Sequence, residues 1–395
     1  MKKKLKNTFP NLYSFARNVK AQRQYFGRLK IIRSTAKWVE SESLAKGWHS
    51  RRRGPWYKQH FPSTIRIFDQ AAKFVPGSTL PSILKNPEAR TIISWVVQEA
   101  GLLALQEAFV FSQDGIVLNG DNEVFDEFSP GVGEPSCMFS RFANHFTTWS
   151  SQINKIEEPA AVLAAPGYDS YYHWLLQILP RIHLLQSVQP LLEHYIIPKN
   201  AGEKFVASLK TLGIDEKHLY PIGHGEKVQC SQLFVPSIPS NEGAIPHWVI
   251  DFLRRQFLDE SYAPERKKKL YVVRGNRRRR VLNEDLVVSA VSKLGFEPVA
   301  GENLSVSQQA RIFSEASMII GAHGAGLTNI VFAEGAKVVE IFRPSVMPLN
   351  CYFPLSVVSN NKYWGMISEG DESDCGDVII NIDQLIRTIE FVESQ

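Results

Sequence analysis

Between residues 268 and 342 the chain repeats one pattern: a short apolar run rich in β-branched residues, then a longer stretch with helical spacing. "LYVVR" is followed by "NEDLVVSAVSKLG", "FEPVA" by "SVSQQARIFSEA" and "SMIIGA" by "GLTNIVFA", before "KVVEIF" closes the series. Strands alternating with helices in this way predict an α/β unit with a mainly parallel sheet, since parallel neighbours can be joined only by a long crossover. Asn283 stands as a helix cap, with two acids behind it and Gly295 after the helix end.

The connections in this unit hold the candidate chemistry. "IIGAHGAGLTN" lies where a strand gives way to a helix, and ligands of open parallel sheets sit beyond the carboxyl ends of strands. Gly321, Gly324 and Gly326 would let a phosphate approach the backbone. A helix start would offer N–H groups, and His323, Thr328 and Asn329 supply polar groups. The spacing matches neither G-x-G-x-x-G nor a P-loop, which argues against a standard dinucleotide or Walker site. "RGNRRRR" follows the neighbouring strand. Arg274 and Arg280 are candidates to clamp a diphosphate, and Arg277 to Arg279 read as a solvated loop. Glu340 ends the last strand, where a carboxylate can receive ribose hydroxyls, and Glu334 serves the preceding turn.

The front half gives a weaker pattern. "AFVFSQDGIVLNG" reads as a hairpin, "AAVLAAPG" as a buried strand, and "YYHWLLQILPRIHLLQSV" as a helix interrupted at Pro180. Asp169 and His173 are four residues apart and share a face if helical. A carboxylate can orient an imidazole as a general base, although a packed core histidine is the commoner fate of such a residue. "SYAPERKKK" at 261–269 is the candidate linker between two domains.

Charge is unevenly placed. Residues 1–60 hold 16 Lys and Arg against 2 Asp and Glu, whereas the whole 395-residue chain is only +5. Leu12, Phe15, Val19, Phe26 and Leu29 recur at helical spacing among the cations, which predicts a basic amphipathic helix. It would either lie on an anionic membrane surface or dock on the body. No recognition fold for nucleic acid accompanies it. The four cysteines form no C-x-x-C pair, neither a secretory leader nor a spanning segment is read, and a cytoplasmic protein is expected. There is no D-x-D, H-E-x-x-H or G-x-S-x-G motif.

Taken together, "YYHWLLQILPRIHLL", "LYVVRGNRRRRVLNEDLV" and "IIGAHGAGLTNIVFAEGAKVVEIF" resemble glycosyltransferase family 61, the group that includes bacterial capsular polysaccharide proteins. The resemblance covers roughly residues 160–345. It implies a GT-B architecture, two Rossmann-like domains with mainly parallel sheets facing a cleft. On this reading 1–60 is a basic helical extension, 61–262 the acceptor-side domain, 263–380 the nucleotide-sugar domain and 381–395 a closing helix.

The resemblance also implies an inverting transfer from a nucleotide sugar, with neither metal nor other cofactor. Arg274, Arg280, His323, Gly324 and Asn329 fall on donor-binding positions, with Glu340 a further one, and His173 falls on the histidine of the N-terminal motif. The implied acceptor is a capsular, exopolysaccharide or lipopolysaccharide-type glycan, free or lipid-linked, at the inner face of the plasma membrane. Two other readings stay open: a glycan-assembly partner that has lost transfer, and a nicotinamide-dependent oxidoreductase, which the glycine spacing disfavours.

Overall fold

A computed structural model describes residues 100–120, 124–125, 153–186, 188–240, 245–259, 261–275, 279–343, 351–368 and 376–395. Before them it describes the backbone of short strands at 31–32, 53–58, 64–66, 72–74, 88–89 and 94–96. The expected amphipathic helix lies outside these residues. Within 1–60 the described segments are strands, and Arg53–Lys58 pairs antiparallel with Gly101–Phe111.

The architecture is α/β, built on two large sheets. In the first, Ala160–Val162, His194–Pro198, Leu219–Ile222 and Lys227–Pro236 make the parallel part. Gly101–Phe111 then runs antiparallel to Lys227–Pro236 and carries the hairpin to Ile116–Leu118. Gly115 turns that hairpin at φ +65°, and a Cβ there would collide with the carbonyl of Ala164.

The second sheet has the spatial order Phe296–Val299, Lys268–Val272, Ala316–Ala322, Lys337–Phe342, Lys362–Ile367, all parallel. Numbered along the chain from residue 268, that order is 2-1-3-4-5, a doubly wound sheet whose direction of winding reverses between the first and third strands. The crossovers diverge at that point and leave a crevice, so Arg274 and the 323–329 turn stand at the place where such a sheet binds ligands. Ala72–Phe74 and Glu88–Ala89 extend this same sheet beyond Lys362–Ile367. Residues expected in the first domain therefore complete the second, a pairing across some 290 residues that no local pattern announces.

Two local expectations are corrected. Asn283 precedes the helix Glu284–Ser292 but does not cap it with its side chain; its amide instead clasps Ile380 through both Oδ1 and Nδ2. The "GLTNIV" stretch is a seven-residue 3-10 helix, Ala325–Val331, and not an α-helix. Its dipole is correspondingly small, so the task of neutralising an anion here falls on side chains. The helix Val306–Ser314 starts with a full capping box between Ser305 and Gln308. One continuous apolar core runs from the first sheet's helices to those of the second, through Trp174, Phe205, Leu253, Phe313, Leu327 and Phe353. Among the described residues no helix is long and apolar enough to cross a membrane.

Candidate functional site

A cavity of about 420 Å³ lies between the two sheets. From the first sheet it is lined by Asp169, Ser170 and Tyr171, which follow Ala160–Val162, and by Asn200, Gly202 and Lys204, which follow His194–Pro198. The second sheet lines it with residues after three of its strands: Val273, Arg274 and Arg279, then Gly301 and Glu302, then Gly324, Ala325 and Gly326. The carboxyl ends of five parallel strands therefore converge on one space, the arrangement expected of a ligand site in open α/β sheets.

Arg274 is fixed at the centre of the second-sheet wall. Its backbone N–H and that of Gly275 donate to the two oxygens of Glu284 (2.6 and 2.9 Å), and its Nε donates to the carbonyl of Arg279 (3.0 Å). The guanidinium rests on the backbone of Gly324, where a Cβ would sit 1.6 Å from Nη1. Gly321 and Gly326 are needed for packing: added Cβ atoms would meet Val272 at 2.9 and 2.8 Å. Both glycines let the turn settle on the neighbouring strand, and Gly326 also lines the cavity.

Asn329 is fully committed inside the protein. Its Oδ1 accepts from the Tyr171 hydroxyl (2.7 Å), and its Nδ2 donates to Gln309 Oε1 (2.8 Å) and Gly326 O (3.1 Å). It is 1% exposed and brackets the two walls of the cavity together. Burial pushes the Tyr171 phenol far above its usual value, so its proton stays in that bond. Thr328 is entirely buried beneath the turn.

His323 does not line this cavity. Its Nδ1 meets Glu340 Oε1 at 2.5 Å, while Glu340 Oε2 accepts from the buried Tyr363 hydroxyl at 2.6 Å. Glu340 is 0% exposed with both oxygens used, so the expected ribose contact gives way to a role as partner of His323. Arg280 also differs from expectation. Its backbone and guanidinium are tied to Asp377 by three hydrogen bonds of 2.7 to 3.1 Å, and Arg279, read from sequence as part of a solvated loop, is exposed and also lines the cavity.

His173 does not line this cavity either: it comes two residues after Tyr171, the last lining residue of its segment, and its support begins with Pro180. A proline cannot donate to the carbonyl of Leu176, and the chain relaxes into a π-turn over Trp174–Ile178. The Ser240 hydroxyl donates to that carbonyl (2.9 Å), and the Ser240 carbonyl accepts from Gln177 Nε2 (2.9 Å). This fixes the Gln177 amide with Oε1 toward His173 Nδ1 (2.8 Å). The imidazole is thereby held with Nδ1 protonated and Nε2 bearing the lone pair.

The orienting group is Gln177, four residues after His173, and not Asp169, four residues before it; Asp169 is exposed at the cavity mouth. Gly167, at φ +76°, keeps the ring's edge clear, since a Cβ there would lie 2.6 Å from Cδ2. Tyr172 and Tyr352 stack edge to face between His173 and His323, so one buried aromatic train touches both histidines.

Residues 171–339 match the family model Glycosyltransferase 61. Through this segment, less than half of its length, the chain is similar to glycosyltransferase family 61. It is similar to the alpha-1,3-arabinosyltransferase XAT3 of Oryza sativa subsp. japonica, 42% identical over 20% of this chain and 14% of that protein. A longer match, 24% identical, joins 46% of this chain to 36% of the beta-1,2-xylosyltransferase XAX1 of the same organism. The beta-1,2-xylosyltransferase XYXT1, also from rice, is 35% identical over 19% of this chain and 17% of its own length. The matched stretches thus span between about a seventh and about a third of these relatives.

Proposed function

We propose that this chain is a glycosyltransferase of family 61, an inverting enzyme of GT-B architecture that moves a sugar from a nucleotide sugar to a glycan. The observation that carries the reading is the convergence of five strand ends on a cavity with Arg274 set in one wall, while Asp169, Ser170 and Tyr171 of the other wall lead directly into His173. The diphosphate lies against Arg274 and the 324–326 backbone, and the nucleoside extends toward Gly301, Glu302 and Gln309. Arginines fixed before the ligand arrives stabilise the departing negative charge without a metal, and such preorganised charge is usually the largest catalytic contribution.

His173 Nε2 takes the proton from an acceptor hydroxyl. That oxygen attacks the anomeric carbon on the face opposite the diphosphate, so the configuration inverts. The acceptor is of capsular, exopolysaccharide or lipopolysaccharide type, and the basic residues 1–60 bring the enzyme to an anionic membrane surface that bears it.

The test is incubation with a panel of nucleotide sugars and glycan acceptors in the presence of EDTA, with the product read by NMR. A new glycosidic bond of inverted anomeric configuration supports the reading. Retention of configuration, or turnover that vanishes with EDTA and returns with a divalent ion, contradicts it. A chain that binds donors but neither transfers nor hydrolyses them is an assembly partner instead.

A further inference from the structure

Beside the large cavity is a second of about 40 Å³, lined by Arg279, His323 and Arg343 with Ala322, Ile341 and Gly376. It shares Arg279 and Ala322 with the large cavity, so the two adjoin. His323 and Arg343 follow adjacent parallel strands, paired at Ala322 and Ile341, and so project from the same edge of the sheet.

Among the described residues, the acids near this cavity are committed elsewhere. Glu340 is used by His323 and Tyr363, Asp377 by Arg280, and Glu284 by the N–H groups of Arg274 and Gly275. Among the described residues neither Arg279 nor Arg343 has a carboxylate partner. The pair is nonetheless held in place. Gly376, at φ +67°, passes so close that a Cβ would lie 2.4 Å from Arg343 Nη1 and 3.3 Å from Arg279 Cγ. Arg343 is half-buried and Arg279 exposed, and the two guanidinium groups line one small space where a bound anion can accept from both.

We infer that this small cavity receives a carboxylate of the donated sugar, so that the donor is the nucleotide ester of an acidic sugar of the uronic acid class. The inference rests on the function proposed above. With the diphosphate at Arg274 and Gly324, the sugar bonded to it is the group that continues past Ala322. The space suits one small charged group and not a sugar ring, and a guanidinium binds a carboxylate through two parallel hydrogen bonds.

The test uses the full chain. A melting screen with UDP, GDP and dTDP identifies the nucleotide, and calorimetry then compares its ester of a neutral hexose with that of the matching 6-carboxyl sugar. Expected is at least roughly tenfold tighter binding of the acidic ester, as charge-assisted hydrogen bonds give. Arg343→Gln abolishes that preference, and Arg343→Lys, which keeps the charge, retains part of it. Equal affinity of the two esters overturns the inference while leaving the transferase reading intact. So does an Arg343→Gln variant that loses the bare diphosphate in the same proportion as the acidic ester, because Arg343 would then belong to the diphosphate site. If no nucleotide raises the melting temperature, the transferase reading itself falls, and this inference with it.

Discussion

Arg274 and Gly324 are in direct contact across the switch point of the second sheet, with no room for a side chain on Gly324: its Cβ would stand 1.6 Å from the guanidinium nitrogen. The smallest residue of the turn therefore sets the position of the largest nearby cation. Gly324 has φ 169°, extended backbone open to any residue, so Gly324→Ala tests space and not strain. It should keep the fold by circular dichroism yet lower turnover by ~10²-fold or more, approaching the loss from Arg274→Ala. Unchanged turnover in Gly324→Ala would separate this contact from catalysis.

Gln177 holds His173 in one tautomer. His173→Ala should reduce kcat by ~10²–10⁴-fold with diphosphate affinity retained. Gln177→Leu should lower kcat by a smaller factor, again with little change in nucleotide affinity. Equal losses of kcat and nucleotide affinity in either variant would make the segment structural. Ser240 joins the same chain of hydrogen bonds, so a substitution that moves its backbone should act as Gln177→Leu does.

Arg181 is a buried cation, 1% exposed, that donates to the carbonyls of Leu163, Ala164 and Pro236. Burial pushes it down to about 9. It ties the end of Ala160–Val162 to the end of Lys227–Pro236, directly beneath the His173 segment. Arg181→Met leaves several buried acceptors unpaired and should cost about 3 kcal/mol in denaturant unfolding. A loss under about 1 kcal/mol would mean the carbonyls find other donors.

Cys230 lies in the first sheet's core, and burial pushes its thiol up to about 12. Native protein at pH 8 should leave it unalkylated by iodoacetamide while the partly exposed Cys351 reacts. Because the folded value is raised, the unfolded chain releases this proton first. Its contribution to stability is complete below about 9 and declines toward 12, by at most roughly 1.4 kcal/mol per pH unit. Cys230→Ala should flatten that slope, and an unchanged slope would assign it to other groups.

The second sheet was legible because its strands and helices follow one another locally, and the glycine turn marked the switch point. What was missed depends on distance or on choosing between equivalent neighbours. Asp169 and Gln177 are both four residues from His173, and only the kink at Pro180, answered by Ser240 across 64 residues, decides for Gln177. Arg279 and Arg280 are adjacent, and Asp377, 97 residues on, removes the second from the site. Glu340 looked like a ligand group because strand ends in this fold often are; Tyr363 and His323, which enclose it, come from other strands. Arg343 closes its own strand and could have been noticed by the rule that singled out Arg274.

The most direct test of the account is a calorimetric titration of the cognate nucleoside diphosphate in EDTA into the native chain and Arg274→Ala. The account predicts one site on the native chain that needs no divalent ion, with binding weakened at least tenfold in the variant. Binding that requires added magnesium or manganese, or that is equal in the two proteins, would contradict it.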